Sequence, residues 1–185
     1  MAKAAVFFAE GFETVEALAV VDLCRRAGID LDTVSVSDIK RVITSQKIPV
    51  EADKLISEVD FDEYDMLILP GGMPGTVNLE GCDLLMQKLD EFNKAGRYLS
   101  AICAAPRIFG KRGYLAGRKA TCYPGVEEYL EGADHTGAPV EIDGPFITGR
   151  GMGTATQFGL AIVERLAGRQ AAEKVAQSVT FEGRG

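Results

Sequence analysis

Apolar runs of strand length alternate with segments of helical period along the whole chain, and this alternation constrains the fold more than any other feature. Ala4–Ala9 reads as a strand buried on both faces, and Thr14–Arg26 follows with Val15, Leu18, Ala19, Asp22, Leu23 and Arg26 at helical spacing before Gly28 stops it. Leu31–Val36 alternates as a strand does, and Arg41–Val50 reads as a small hairpin with Pro49 at its edge. The pattern then repeats. Asp65–Leu69 is a buried strand ended by Pro70-Gly71-Gly72, and Leu84, Leu85, Leu89 and Phe92 mark a helix ending at Ala95-Gly96. Tyr98–Ile102 is a strand running into Cys103, with further short strands at Lys119–Cys122 and Phe146–Thr148. Helices over Thr154–Leu166 and Ala171–Ser178 close the chain. Strand–helix alternation means βαβ units, a mostly parallel sheet and helices on both faces. The 185 residues contain no repeat or linker, so the expected organisation is a single α/β domain over residues 1–185.

In such a sheet, ligands sit beyond the carboxyl ends of the strands. Three strand ends carry chemistry. Ser100-Ala-Ile-Cys103-Ala-Ala-Pro106 has the layout of a nucleophile elbow, in which a sharp strand-to-helix turn pushes a side chain into the cleft. A following helix start favours a thiolate, although a cysteine there also serves as a small buried hydrophobe. Leu69-Pro-Gly71-Gly72-Met73-Pro-Gly75 lets backbone approach closely and can aim N–H donors at an oxyanion. Its spacing is neither the dinucleotide fingerprint nor a Walker loop. Ala9-Glu10-Gly-Phe12-Glu13-Thr-Val-Glu16 places three carboxylates near a helix start. Glu10 and Glu16 suit the helix dipole, whereas Glu13 is the candidate to face the cleft with a raised pKa and donate to a sulfur.

Composition removes several function classes. With 20 basic and 27 acidic residues the net charge is −7, which disfavours phosphate backbones and anionic lipid. One histidine excludes a multi-histidine metal site, and four cysteines are too few for a disulfide scaffold. No apolar stretch approaches the length of a membrane span or an export signal, so a cytoplasmic setting is expected.

Taken together, Glu10-Gly-Phe-Glu13-Thr-Val-Glu16-Ala, Leu69-Pro-Gly-Gly72, Ala101-Ile-Cys103-Ala-Ala-Pro106 and Thr148-Gly-Arg150-Gly-Met-Gly153-Thr resemble the ThiJ/PfpI superfamily. The resemblance spans the chain in order, and is greatest to the branch of the Parkinson's-linked protein deglycase and its bacterial ThiJ-like relatives. It implies a flavodoxin-like three-layer α/β/α sandwich, usually homodimeric, acting without a cofactor or metal. It also implies Cys103 as nucleophile, Glu13 as the carboxyl that hydrogen-bonds it and to which the acid–base work falls, and Gly71, Gly72 and Ala104 as the oxyanion and substrate-binding backbone. The implied activity is glyoxalase or deglycase chemistry on methylglyoxal or its adducts, that is, on a small carbonyl or a glycated protein or thiol. The alternative is redox sensing or chaperone-like protection through oxidation of Cys103.

One departure matters. Relatives carry a His-Pro pair after the elbow helix, where this chain reads Thr121-Cys122-Tyr123-Pro124. Tyr123 therefore stands where that histidine would, and amidase or protease chemistry loses its cysteine–histidine pair. His135 falls in an apparent loop, away from the site. Cys24, Cys82 and Cys122 read as structural filler. Arg150 lines the site and binds a substrate oxyanion, or makes a structural ion pair, with the ion pair favoured. Gly149–Gly153 reads as a tight turn closed by Thr154, and Met73 and Phe12 either line the cleft or pack.

Overall fold

A computed structural model describes residues 2–183. In chain order the elements are β1 (Lys3–Phe8), α1 (Thr14–Arg26), β2 (Asp30–Ser35), β3 (Arg41–Ile43), β4 (Pro49–Glu51), β5 (Lys54–Leu55) and β6 (Met66–Leu69). There follow α2 (Gly75–Glu80), α3 (Asp83–Ala95), β7 (Tyr98–Ile102), α4 (Pro106–Lys111), β8 (Lys119–Ala120) and β9 (Asp134–His135). The chain closes with β10 (Val140–Asp143), β11 (Phe146–Gly149), α5 (Ala155–Ala167) and α6 (Arg169–Ser178).

Seven strands form the central sheet in the order β10-β11-β7-β6-β1-β2-β5. Every pairing in it is parallel except β10 with β11. β1 shows why the middle strands read as unbroken apolar runs. Ala5 and Phe7 face one layer, while Ala4, Val6 and Phe8 face the other. A strand covered on both faces has no solvent side on which a polar residue is cheap. Each fully buried phenylalanine contributes about 1.5–3 kcal/mol by leaving water.

On one face lie α1, α5 and α6, which meet the sheet through Val20, Leu23, Phe158, Ile162 and Val175. On the other lie α3 and α4, through Leu85, Leu89, Phe92, Ile108 and Phe109. The result is the three-layer α/β/α sandwich expected from the sequence. The chain leaves β1 toward β2 on one side and returns as β6 on the other, so a topological crevice opens at the carboxyl ends of β1 and β6.

The sequence reading is corrected in three places. Lys119–Cys122 does not join the main sheet: only Lys119 and Ala120 are strand, and they pair with Asp134 and His135 as a separate two-stranded ribbon. His135 is therefore held on a strand rather than in a loop. The edge strands β5 and β10 were also not foreseen, because a lone Lys–Leu pair, or four residues of mixed character, carry no periodic signal. The expected hairpin is present as β3 paired antiparallel with β4. Among the described residues no helix is long and apolar enough to cross a membrane.

Candidate active site

The crevice gathers the three chemistry-bearing strand ends. Cys103 follows β7 directly and adopts φ +66°, left-handed backbone that costs a non-glycine residue about 1–3 kcal/mol. Two hydrogen bonds pin it there. Its own N–H donates to the Gly149 carbonyl at 2.9 Å, and the Tyr123 N–H donates to its carbonyl at 2.9 Å. The elbow presents a half-buried thiol to the crevice, where the Gly72 and Ala104 amides favour its ionised form.

The carboxyl that meets this thiol is Glu16, not Glu13. Glu13 sits at the cap of α1, where its Oε2 accepts the Glu16 N–H at 2.8 Å and its own N–H donates to Gly71 O at 2.9 Å. That geometry turns its side chain along the helix end. Glu16, three residues on, is 1% exposed and points inward. Its Oε2 accepts the Gly71 N–H at 2.9 Å. Its Oε1 is buried without another partner, and the Cys103 thiol is positioned to supply one.

This arrangement also corrects the role expected of Gly71. Its amide is committed to Glu16 and cannot serve an oxyanion. The glycine is required for another reason: a Cβ there would lie 2.6 Å from Cys103 Cβ and 2.7 Å from Glu16 Oε2. Gly71 is the gap through which carboxyl and thiol approach. Gly72, at φ +92°, has no room either, since an added Cβ would meet the Glu13 backbone nitrogen at 2.4 Å.

Burial pushes the Glu16 carboxyl up to about 7. The Cys103 hydrogen bond and the Gly71 amide resist the shift, and the negative charge of Glu13 adds to it. The Cys103 thiol is pushed up to about 12, first by burial and then by the Glu16 charge and hydrogen bond, against the pull of the Ala104 and Gly72 amides. These are two views of one coupled pair. One proton leaves near neutrality, and the second is retained to high pH because two anions would otherwise face each other. The retained proton is shared between the sulfur and the carboxyl whose other oxygen the Gly71 amide holds.

The remaining candidates separate clearly. Tyr123 is 53% exposed at the rim, and Met73 is equally exposed. Phe12 is wholly buried and stacks on Phe8 with ring centroids 4.4 Å apart, so it packs rather than lining the cleft. Arg150 is exposed and forms no ion pair with any described residue, against the expected structural pairing. Thr154 closes the glycine turn as expected, its hydroxyl donating to Gly151 O at 2.9 Å and accepting Gly151 N–H at 3.3 Å. Cys24 and Cys122 are buried, and burial pushes both thiols up to about 12. Cys82 is half-buried at the start of α3. His135, within the β8–β9 ribbon, is half-buried, with Nε2 enclosed and unpartnered among the described residues. Among the described residues no cluster of three or more His, Cys, Asp or Glu side chains is disposed to hold a metal.

Sequence reasoning chose the wrong acid, although a signal was available. Acids three apart at a helix start match the spacing of the cap and third helical positions. The first of such a pair is consumed by the cap, and the second is free to turn inward.

A parallel sheet with a left-handed cysteine after one strand, facing a buried carboxyl from the first helix, defines a class of protein. The chain belongs to the DJ-1/PfpI family, whose model matches residues 2–165. It is 30% identical to "Glutathione-independent glyoxalase DJ-1" of Schizosaccharomyces pombe, over 98% of this chain and 100% of that one. It is 38% identical to "Protein DJ-1 homolog B" of Arabidopsis thaliana over 94% of this chain. The chain spans only about two fifths of the length of that plant relative, which it covers to 40%. The solved structure of oxidized Toxoplasma gondii DJ-1 superposes with a TM-score of 0.94 at 32% identity, covering 99% of this chain and 100% of that one.

Proposed function

We propose that the chain is a cysteine-dependent enzyme of reactive carbonyls, converting methylglyoxal or its adducts without a cofactor. The observation that carries this reading is the buried Glu16 carboxyl beside the left-handed Cys103, with two amides on the sulfur. The Schizosaccharomyces pombe relative named as a glyoxalase supports it.

In this mechanism Cys103 passes its proton to the Glu16 carboxylate as the sulfur attacks the aldehyde carbon, giving a tetrahedral adduct. The Gly72 and Ala104 amides take up the resulting oxyanion, while Gly71 keeps Glu16 in place. Glu16 hands the thiol's proton to that oxyanion, completing the hemithioacetal, then removes the proton from the former aldehyde carbon and returns it to the neighbouring ketone carbon through an enediol. The aldehyde carbon is thereby oxidised and the ketone carbon reduced, leaving a lactoyl thioester. Water cleaves the thioester, giving lactate and regenerating the thiol. With a glycated amine or thiol as substrate, the same steps release the modified group. A homodimer and a cytoplasmic setting belong to the same proposal, on the family resemblance.

The direct test is lactate formation from methylglyoxal with no glutathione added. Because the reactive pair has lost one proton, kcat/KM is expected to rise with pH and level off above about 7, following the Glu16–Cys103 ionisation. A profile flat across neutrality, or no lactate at all, would overturn the mechanism.

A second reading rests on the same donors, which are placed to hold the oxygens of an oxidised sulfur. On that reading Cys103 senses peroxide. Graded peroxide followed by peptide mapping is expected to place sulfinic acid on Cys103 before Cys24, Cys82 or Cys122. Prior oxidation of Cys82 would count against it.

A further inference from the structure

We propose that Arg150 and Tyr123 form a subsite beside Cys103 for a singly charged anionic group, so that the preferred carbonyl substrate carries a carboxylate. This deepens the carbonyl-enzyme reading and rests on it for the identity of the reaction.

The two residues flank the nucleophile through its own backbone. Tyr123 N–H donates to Cys103 O, and Cys103 N–H donates to Gly149 O, immediately before Arg150. Between them lies a cavity of about 340 Å³, lined by Tyr123, Pro124, Arg150, Gly151, Met152 and Thr154 among others. Its walls are largely apolar, with the Tyr123 ring within contact distance of where a Gly151 side chain would begin, and with Met152 54% exposed. Arg150 supplies a positive charge that no described carboxylate neutralises as an ion pair. Glu127 is the nearby acid: it feels His135 and Arg150, but its Oε2 accepts the Gly125 N–H at 2.6 Å and it forms no ion pair with Arg150. The adjoining amino end of α5 has no side-chain cap and no acid in its first turn, so it adds no negative charge.

A guanidinium at an apolar wall pairs with a planar carboxylate two atoms at a time. One cation matches one negative charge, which favours a carboxylate over a doubly charged phosphate. A residue in the Tyr123 position that were a charged imidazole would compete for that anion; a phenol ring offers a flat wall and a hydroxyl donor instead.

The test compares alkylation of Cys103 by iodoacetate and by iodoacetamide, followed by intact mass and peptide mapping in wild type, Arg150→Gln and Arg150→Lys. This readout does not depend on turnover. In Arg150→Gln the ratio of the iodoacetate rate to the iodoacetamide rate is expected to fall about tenfold at low salt, with Arg150→Lys retaining much of it. An unchanged ratio overturns the subsite. A parallel loss of both rates also overturns it, by showing that Arg150 supports the fold of the elbow rather than the anion. A second arm measures KM for phenylglyoxal and its para-carboxy derivative, where Arg150→Gln is expected to raise KM selectively for the carboxylated compound. Failure to turn over either compound, with the alkylation ratio still sensitive to Arg150, would reject the glyoxalase reading and leave the anion subsite standing.

Discussion

Cys103→Ser is expected to lower lactate formation from methylglyoxal by about 10³-fold or more, which corresponds to at least about 4 kcal/mol of transition-state stabilisation. The reason lies in the bond that starts the reaction. Serine has the same shape on a slightly smaller scale and stays beside the amides of Gly72 and Ala104, but its hydroxyl does not ionise at neutral pH and nothing beside it is a strong base. The carboxyl beside it, Glu16, becomes a carboxylate near pH 7, far too weak a base to ionise an alcohol. Binding and fold should survive, because the elbow is fixed by the Gly149 and Tyr123 backbone bonds rather than by the sulfur. Lactate release measured beside thermal unfolding checks this. Turnover equal to wild type would sink the nucleophile assignment.

Glu16→Gln is expected to reduce kcat by about 10²–10⁴-fold, while Glu13→Gln should stay within a few-fold of wild type. The amide of glutamine can still accept from Gly71, so the loop stays in place, but it cannot carry a proton between carbons. Glu13 acts at a distance: as a cap it holds the helix start, and losing its charge should cost only about 0.3–1 kcal/mol of stability. The same pair predicts opposite effects on stability. Glu16 has its folded pKa raised above the unfolded value, so the native state binds the extra proton and is destabilised as pH rises from about 4.5 through about 7. Above that window the buried charge costs the fold a few kcal/mol at most. Glu16→Gln removes the cost, so the variant should be more stable than wild type in alkaline buffer while nearly inactive. Denaturant unfolding at acid and alkaline pH, run beside the lactate assay, reads both effects. A Glu16→Gln protein with full activity, or a Glu13→Gln protein without it, would return the acid–base role to Glu13.

Much of the fold was legible because the buried strands are unambiguous. β1, β6 and β7 are continuous apolar runs that only a doubly covered sheet explains. Cys103 was legible for a related reason, since a strand ending in cysteine and small residues before a proline-started helix has few other uses. The choice between Glu13 and Glu16 was not. It turns on where α1 begins, and a shift of three residues moves an acid from the cap to the inner face of the first turn. The β8–β9 ribbon escaped notice because two-residue strands leave no pattern, and with it went the placement of His135. The Gly71 amide was misassigned since glycine pairs announce close approach without saying which atom approaches.

The parallel register of β11 against β7 fixes what the crevice can hold. Because Gly149 accepts the Cys103 amide, that N–H is withdrawn from the cleft, and two donors remain there, from Gly72 and Ala104. Before attack they solvate the sulfur; afterwards the sulfur is bonded to carbon and the new charge rests on oxygen. The same two amides must then serve both ends of a charge that moves by one bond. Free enzyme and adduct thus compete for one fixed set of donors, so strengthening their hold on the thiolate would deepen the starting well as well as the later one. Rate gains in this family of sites have to come from the angle at which the carbonyl arrives, not from adding more donors.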